Sequence, residues 1–94
     1  MAQTPIDAFE VMYSANKFAP RILLLNAGKI FAQLVFEPDG TTLPVDAING
    51  GIINLFYHLE NYPHCIDLLR NQKPMFLWYN GSGGGFENGI KTNT

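Results

Sequence analysis

Apolar residues first recur at helical intervals. Ile6, Phe9 and Tyr13 stand three and four apart, and Thr4-Pro5 ahead of them reads as a capping residue followed by a first-turn proline. Asp7, three residues after Thr4, shortens the usual capping box. This spacing predicts a helix over residues 5–15, ended by Asn16 or Lys17 and barred from continuing by Pro20. The period then falls to two. Arg21 to Leu25 is a short branched-apolar run that reads as a strand, and Asn26-Ala27-Gly28 tolerates the positive φ of a reversal. Lys29 to Glu37 alternates, with Ile30, Ala32, Leu34 and Phe36 on one face and Phe31, Gln33 and Val35 on the other. Both faces are largely apolar, which places this strand inside a sheet or under cover on both sides. Pro38-Asp39-Gly40 closes it as a turn.

A helical stripe returns in the middle of the chain. Val45, Ile48, Ile52, Leu55, Phe56 and Leu59 recur at three or four, with Asp46 or Asn49 as its cap. Gly50-Gly51 would cost about 1 kcal/mol per glycine inside such a helix, so the helix either starts after the pair or uses it for a close backbone approach. Pro63 either ends this helix or opens a second one at its first position, carried by Cys65, Ile66, Leu68 and Leu69 to about Asn71. Met75 to Tyr79 is the most apolar and aromatic run and predicts a central strand. The glycine-rich segment after Asn80 predicts a loop, and Phe86 to Thr92 a weaker returning strand. The order α-β-β-α-β-β predicts a single α+β domain over residues 1–94. Its core would be a mainly antiparallel four-stranded sheet with helices packed on it and the middle helix open to a break at Pro63.

Composition narrows the function classes. Charged residues make up 15% of the 94 positions, against about 25% in an average soluble domain, and the net charge is -2. No basic field exists to hold nucleic acid, so no nucleic-acid partner is expected. The apolar runs fall far short of the ~18 residues of a spanning helix, and Met1 to Asp7 lacks a cationic stretch followed by an apolar one. No membrane partner is expected, and the cytoplasm is the expected location. The single cysteine allows no disulfide within the chain.

Three features are candidates for chemistry. Gly81, Ser82, Gly83, Gly84 and Gly85 form a loop whose unshielded amides suit an anion or small molecule. It lacks the Gly-Lys-Ser/Thr ending of a phosphate-binding loop, since Gly85 is followed by Phe86-Glu87. Cys65 lies two residues after Pro63, where a helix start would lower a thiol pKa, and His58 or His64 could assist it as a nucleophile. The same three residues have no tight metal-ligand spacing, so neither a metal nor a cofactor is expected. Aromatic residues gather at the loop: Trp78 and Tyr79 before it, Phe86 after it. Low charge, abundant aromatics and no convergent catalytic set predict a non-enzymatic protein-interaction or adaptor module, acting as a homodimer or on another protein. Its expected binding residues are Trp78, Tyr79, Gly81, Ser82, Gly83, Gly84, Gly85 and Phe86, with edge pairing through residues 86–92 as one route. Ligand binding at Gly81–Gly85 is the alternative, and a cysteine-dependent enzyme using Cys65 the second.

Overall fold

A computed structural model describes residues 2–16, 18–83 and 85–92. Among these residues the fold is mixed α+β with eight strands and one short helix, arranged as two sheets. This corrects the expected single four-stranded sheet with several helices. A three-stranded sheet runs in the order β1 (Ala2–Pro5), β7 (Phe76–Tyr79), β8 (Gly89–Lys91). A five-stranded sheet runs β2 (Ala8–Met12), β3 (Arg21–Asn26), β4 (Lys29–Glu37), β6 (Ile52–His58), β5 (Ala47–Asn49). All pairings are antiparallel except β4 with β6, which is parallel. The helix, α1 (Tyr62–Asn71), follows a 3-10 turn at Leu59–Asn61.

The expected helix over residues 5–15 is instead two strands in two different sheets. β1 pairs with β7 and β2 with β3, and Ile6-Asp7 forms the corner between them. The Ile6 amide donates to the Met75 carbonyl and the Asp7 amide to the Leu25 carbonyl, both at 2.9 Å. These long-range bonds take the donors that a first helical turn would have left free. Asp7 caps no helix: its Oδ2 accepts the Ala27 amide at 2.7 Å. That bond steadies the β3–β4 turn, in which Ala27 carries a φ of 53°.

The expected middle helix is a β-hairpin. Gly50 and Gly51 have φ of 59° and 82°, and Asn49 pairs with Ile52 across them. Positive φ at both central residues is the two-residue hairpin geometry and is incompatible with a right-handed helix. Asp46 does satisfy a backbone donor, but on a strand. β5 pairs only as far as Ala47 with Asn54, and the Asp46 Oδ1 accepts the Phe56 amide beyond that point at 3.0 Å.

Other expectations agree with the described strands and helix. Arg21 to Leu25 and Lys29 to Glu37 lie in β3 and β4, Met75 to Tyr79 overlaps β7 at the centre of its sheet, and residues 86–92 contain the edge strand β8. The second helix begins at Pro63's neighbour and ends at Asn71. Tyr62, Cys65, Ile66 and Leu69 face the core at helical spacing, Arg70 complements the C-terminal dipole, and Gln72 leaves in an extended conformation.

One core lies between the sheets. The inner face of the five-stranded sheet supplies Ile22, Leu24, Ala32, Leu34, Phe36 and Leu55, all at most 1% exposed. The three-stranded sheet supplies Leu77, α1 supplies Cys65 and Leu69, and Met75 closes the seam. Phe36 anchors an aromatic group, stacked on Tyr57 with centroids 5.7 Å apart and edge-on to Tyr62 at 5.1 Å. A bulge changes the phase of β4. Leu25 pairs with Ile30 while Leu24 pairs with Ala32, so Phe31 is the extra residue. Phe31 therefore packs on the core and Ile30 moves to the outer face, the reverse of strict alternation.

Candidate functional site

The inner face of the five-stranded sheet is covered by α1 and the smaller sheet. Its outer face also carries apolar side chains, interspersed with polar ones. Register places Leu23 and Leu25 of β3 on that face beside Gln33 and Ile30 of β4, and Asn54 and Phe56 of β6 beside Gln33 and Val35. Ile30, Gln33, Val35, Asn49, Ile52, Asn54 and Phe56 line a shallow depression of about 590 Å³. Its floor is closed: Val35 is 8% exposed and Asn54 7%. Its rim is open, with Ile30 at 43%.

An amide pair sits in the middle of this depression. Gln33 Nε2 donates to Asn54 Oδ1, and Asn54 Nδ2 donates to the Ile52 carbonyl at 3.2 Å. Among the described residues Asn54 is the one buried polar side chain, and its needs are met within the sheet. The pair keeps Gln33 Oε1 and one Nε2 proton for a further bond. Charge is confined to the margin. Arg21 on β3 and Glu37 on β4 lie at the same end of the face, and Glu10 lies on the edge strand β2. The Arg21 guanidinium bonds the Ala19 carbonyl at 3.3 Å and Met12 Sδ at 3.6 Å, neither of them an anion.

The glycine loop is built differently from an open anion cradle. The Asn80 amide donates to Asn88 Oδ1 at 2.7 Å, and the Asn80 side chain donates to the Glu87 carbonyl. Asn88 Nδ2 donates to both the Gly81 carbonyl at 2.9 Å and Asp46 Oδ2 at 3.0 Å. The loop's base is thus tied by two asparagines to a carboxylate, which opposes an incoming anion. Gly81 lies beneath Phe86 at a φ of 152°, and a Cβ there would sit 3.1 Å from the ring, so that the exposed ring would have to shift. Ser82 Oγ hydrogen-bonds the Tyr79 hydroxyl, and the Phe86 amide bonds the Gly83 carbonyl at 3.4 Å. Gly85 and Phe86 are exposed, and Gly84 lies outside the described residues. Trp78 stands on the outer side of the smaller sheet under the Lys91 ammonium, 4.9 Å from the ring centroid. Its Nε1 is buried and has no hydrogen-bond partner among the described residues. Tyr79 faces the other way and packs on the core. The seven described residues of the eight expected to bind together are therefore divided between the two sides of the smaller sheet and the loop beyond it.

Cys65, His58 and His64 do not converge. Register puts His58 on the outer face beside Glu37, where its Nε2 lies 2.7 Å from the Thr41 carbonyl and donates to it. Cys65 is inside, where burial pushes its thiol up to about 11 and keeps it protonated at neutral pH. Burial, with Cys65 and Asp46 nearby, likewise raises Tyr57 above its ordinary range. His64 and Cys65 border a shallow pocket of about 400 Å³ with Tyr57 and Ile90. Among the described residues no cluster of three His, Cys, Asp or Glu could hold a metal, and no helix is long and apolar enough to cross a membrane.

A larger cleft of about 670 Å³ lies between the Ile6–Phe9 corner and residues 72–75, lined mainly by Ile6, Phe9, Leu69, Pro74 and Met75. Its one carboxylate, Asp7, is already engaged by Ala27. The outer sheet face was not singled out from the sequence. Its signal was present in the apolar character of both faces of residues 29–37, which reads equally well as double burial. Comparison with protein-family models, curated proteins and solved structures finds no match for this chain.

Proposed function

We propose that this chain is a protein-interaction module that docks a protein on the outer face of its five-stranded sheet. One observation carries the reading: a five-stranded sheet covered on one face presents, on the other, apolar side chains around a hydrogen-bonded amide pair, with charge only at the margin. An antiparallel-rich sheet with one solvated face ordinarily shows polar residues there. An apolar patch of this kind on a small protein marks a contact surface. The amide pair keeps the face soluble when free and offers directional bonds when covered. The face lies away from the Trp78–Phe86 region, and β8 gives edge pairing only three ladder residues.

A photo-crosslinking residue placed at Leu23 or Leu25 tests this, with the same residue at exposed Asn71 of α1 as the control. Discrete protein adducts from the sheet positions and none from position 71 are expected in cells expressing the chain. Absence of adducts from both sheet positions sinks the reading.

A further inference from the structure

We infer that the free edge of β2 and the cleft beside it form a strand-addition site, and that its occupant is an extended segment of another protein with the pattern apolar–basic–apolar. The site is separate from the outer sheet face and does not rest on it. The two sheets leave four edges, at β1, β8, β2 and β5. Sheets ordinarily protect such edges with proline or by keeping them short. The Ile6 amide bonds the Met75 carbonyl, so alternation along the ladder turns Thr4 and Ala2 toward β7 as well, and Gln3 and Pro5 outward. Pro5 has no N–H to offer. β5 and β8 are three residues each. β2 has five residues and no proline, and among the described residues no strand pairs with its outer side.

The ladder fixes which groups of β2 are free. The Phe36 amide donates to the Pro20 carbonyl at 3.0 Å, so Pro20, Ile22 and Leu24 turn toward β4, and Arg21, Leu23 and Leu25 toward β2. The Leu25 carbonyl accepts the Asp7 amide, in agreement. Ala8, Glu10 and Met12 therefore spend their backbone groups on β3, and those of Phe9 and Val11 point out of the sheet. Two free donors and two free acceptors at strand spacing are what another extended backbone satisfies.

The side chains name the occupant. A residue added opposite Phe9 projects to the same face as Phe9, which is the core side because Phe9 pairs with Leu24. There the cleft of about 670 Å³ between Phe9 and Leu69, Pro74 and Met75 takes a large apolar side chain. Val11 lies two residues along on the same face and is 45% exposed, so a second apolar residue covers it. Between them Glu10 pairs with Leu23, points to the opposite face and is exposed, so the intervening residue is Lys or Arg. A second copy fits worse. Self-pairing of β2 through both free residues, Phe9 with Val11, sets Glu10 opposite Glu10, a like-charge contact.

Titration of the full chain with the capped peptide acetyl-Thr-Thr-Leu-Lys-Leu-Thr-Thr-amide, followed by amide NMR, tests this. The Phe9 and Val11 amides should shift and exchange with solvent at least about tenfold more slowly, while Ile48 at the β5 edge should do neither. Glutamate in place of the peptide lysine should weaken binding about tenfold, and Glu10→Lys in the chain should reverse that preference. N-methylation of both peptide leucines removes the donors to Phe9 and Val11 and should abolish binding. Phe9 and Val11 amides unmoved at about 1 mM peptide overturn the site. So does binding indifferent to N-methylation or to the lysine–glutamate exchange, and so do shifts confined to Leu23, Leu25 and Ile30, which would seat the peptide on the outer face. Protection of Phe9 and Val11 that grows with the concentration of the chain alone would make the occupant a second copy and overturn the partner named here.

Discussion

The two faces of the five-stranded sheet both carry apolar side chains and end in opposite circumstances. On β4, Ala32, Leu34 and Phe36 point inward and are at most 1% exposed, under α1 and the smaller sheet. Gln33 and Val35, between them, point outward to a face that no other element of the described chain packs against. The outer face mixes its apolar side chains with Glu10, Arg21, Gln33, Glu37, Asn54 and His58, and the inner face does not. At the centre the difference is the amide pair: the inner face holds no hydrogen-bonding side chain there, and the outer face holds Gln33 bonded to Asn54. A face meant for permanent burial does best without polar atoms, and a face that meets water part of the time needs them satisfied.

The largest effect that separates the faces comes from truncation. Phe36→Ala removes a fully buried ring that touches Tyr57 and Tyr62, and should cost about 3–5 kcal/mol in urea unfolding. Leu23→Ala on the outer face should cost less than about 1 kcal/mol in the monomer. Equal costs would mean that the outer face is sealed by the chain itself, and the comparison would fail.

The next effect concerns Cys65, which belongs to the inner side. The folded thiol keeps its proton to about pH 11, whereas an unfolded cysteine releases it near 9. In that window the folded state binds more protons than the unfolded one, so stability falls as pH rises. The contribution is complete below about pH 8.5 and is lost by about pH 11, on the order of 1–2 kcal/mol. Urea melts from pH 8 to 11 should show this slope, reduced in Cys65→Ala. Iodoacetamide should label the native thiol slowly. Rapid labelling at neutral pH would place the thiol in solvent and reopen a nucleophilic role.

A smaller effect is expected at the amide pair. Asn54→Ala strands a donor of Gln33 that water can partly reach, and should cost about 1–2 kcal/mol. Replacing both partners, as Gln33→Leu/Asn54→Leu, should leave monomer stability within about 1 kcal/mol of the original. It would also make the outer face resemble the inner one. Light scattering should then report aggregation at concentrations where the parent chain stays clear. A double variant as soluble as the parent would remove the amides from any part in distinguishing the faces.

The sequence was most legible where period and turn chemistry agreed. Arg21 to Leu25, the turn at Ala27-Gly28 and the alternation from Ala32 to Glu37 lie where expected, whereas the bulge at Phe31 moves Ile30 off the face it was expected to share with Ala32. Tyr62 to Asn71 is helical because Pro63 opens it and Cys65, Ile66 and Leu69 share a face. It was least legible where a few apolar residues fell at helical spacing by coincidence. Ile48, Ile52, Leu55 and Phe56 fit a helix, yet Asn49-Gly50-Gly51 is a hairpin signal, and the adjacent β-branched Ile52-Ile53 favours a strand. Ile6 and Phe9 fit a helix because the chain turns a corner between two sheets at Asp7, and no local spacing encodes that. The candidate surface was hidden for a related reason. An apolar strand face looks the same in sequence whether the chain covers it or leaves it open, since cover is supplied by elements far along the chain.

The smallest effect tests the phase of β4. Strict alternation puts Ile30 with Ala32 and Leu34, where Ile30→Asp would bury an unpaired carboxylate and cost more than about 4 kcal/mol. The bulge at Phe31 puts Ile30 outside, 43% exposed, so that Ile30→Asp should cost less than about 1 kcal/mol by urea unfolding. The exchanged experiment, Phe31→Asp, should be much the more damaging, because Phe31 packs on the core. If Ile30→Asp proves the worse of the two, the bulge is misplaced, Ile30 returns to the inner face, and the outer depression loses part of its wall. If Ile30→Asp folds normally but weakens docking on the outer face, one substitution separates the two faces by function as well as by exposure, because Ile30 lines the outer depression.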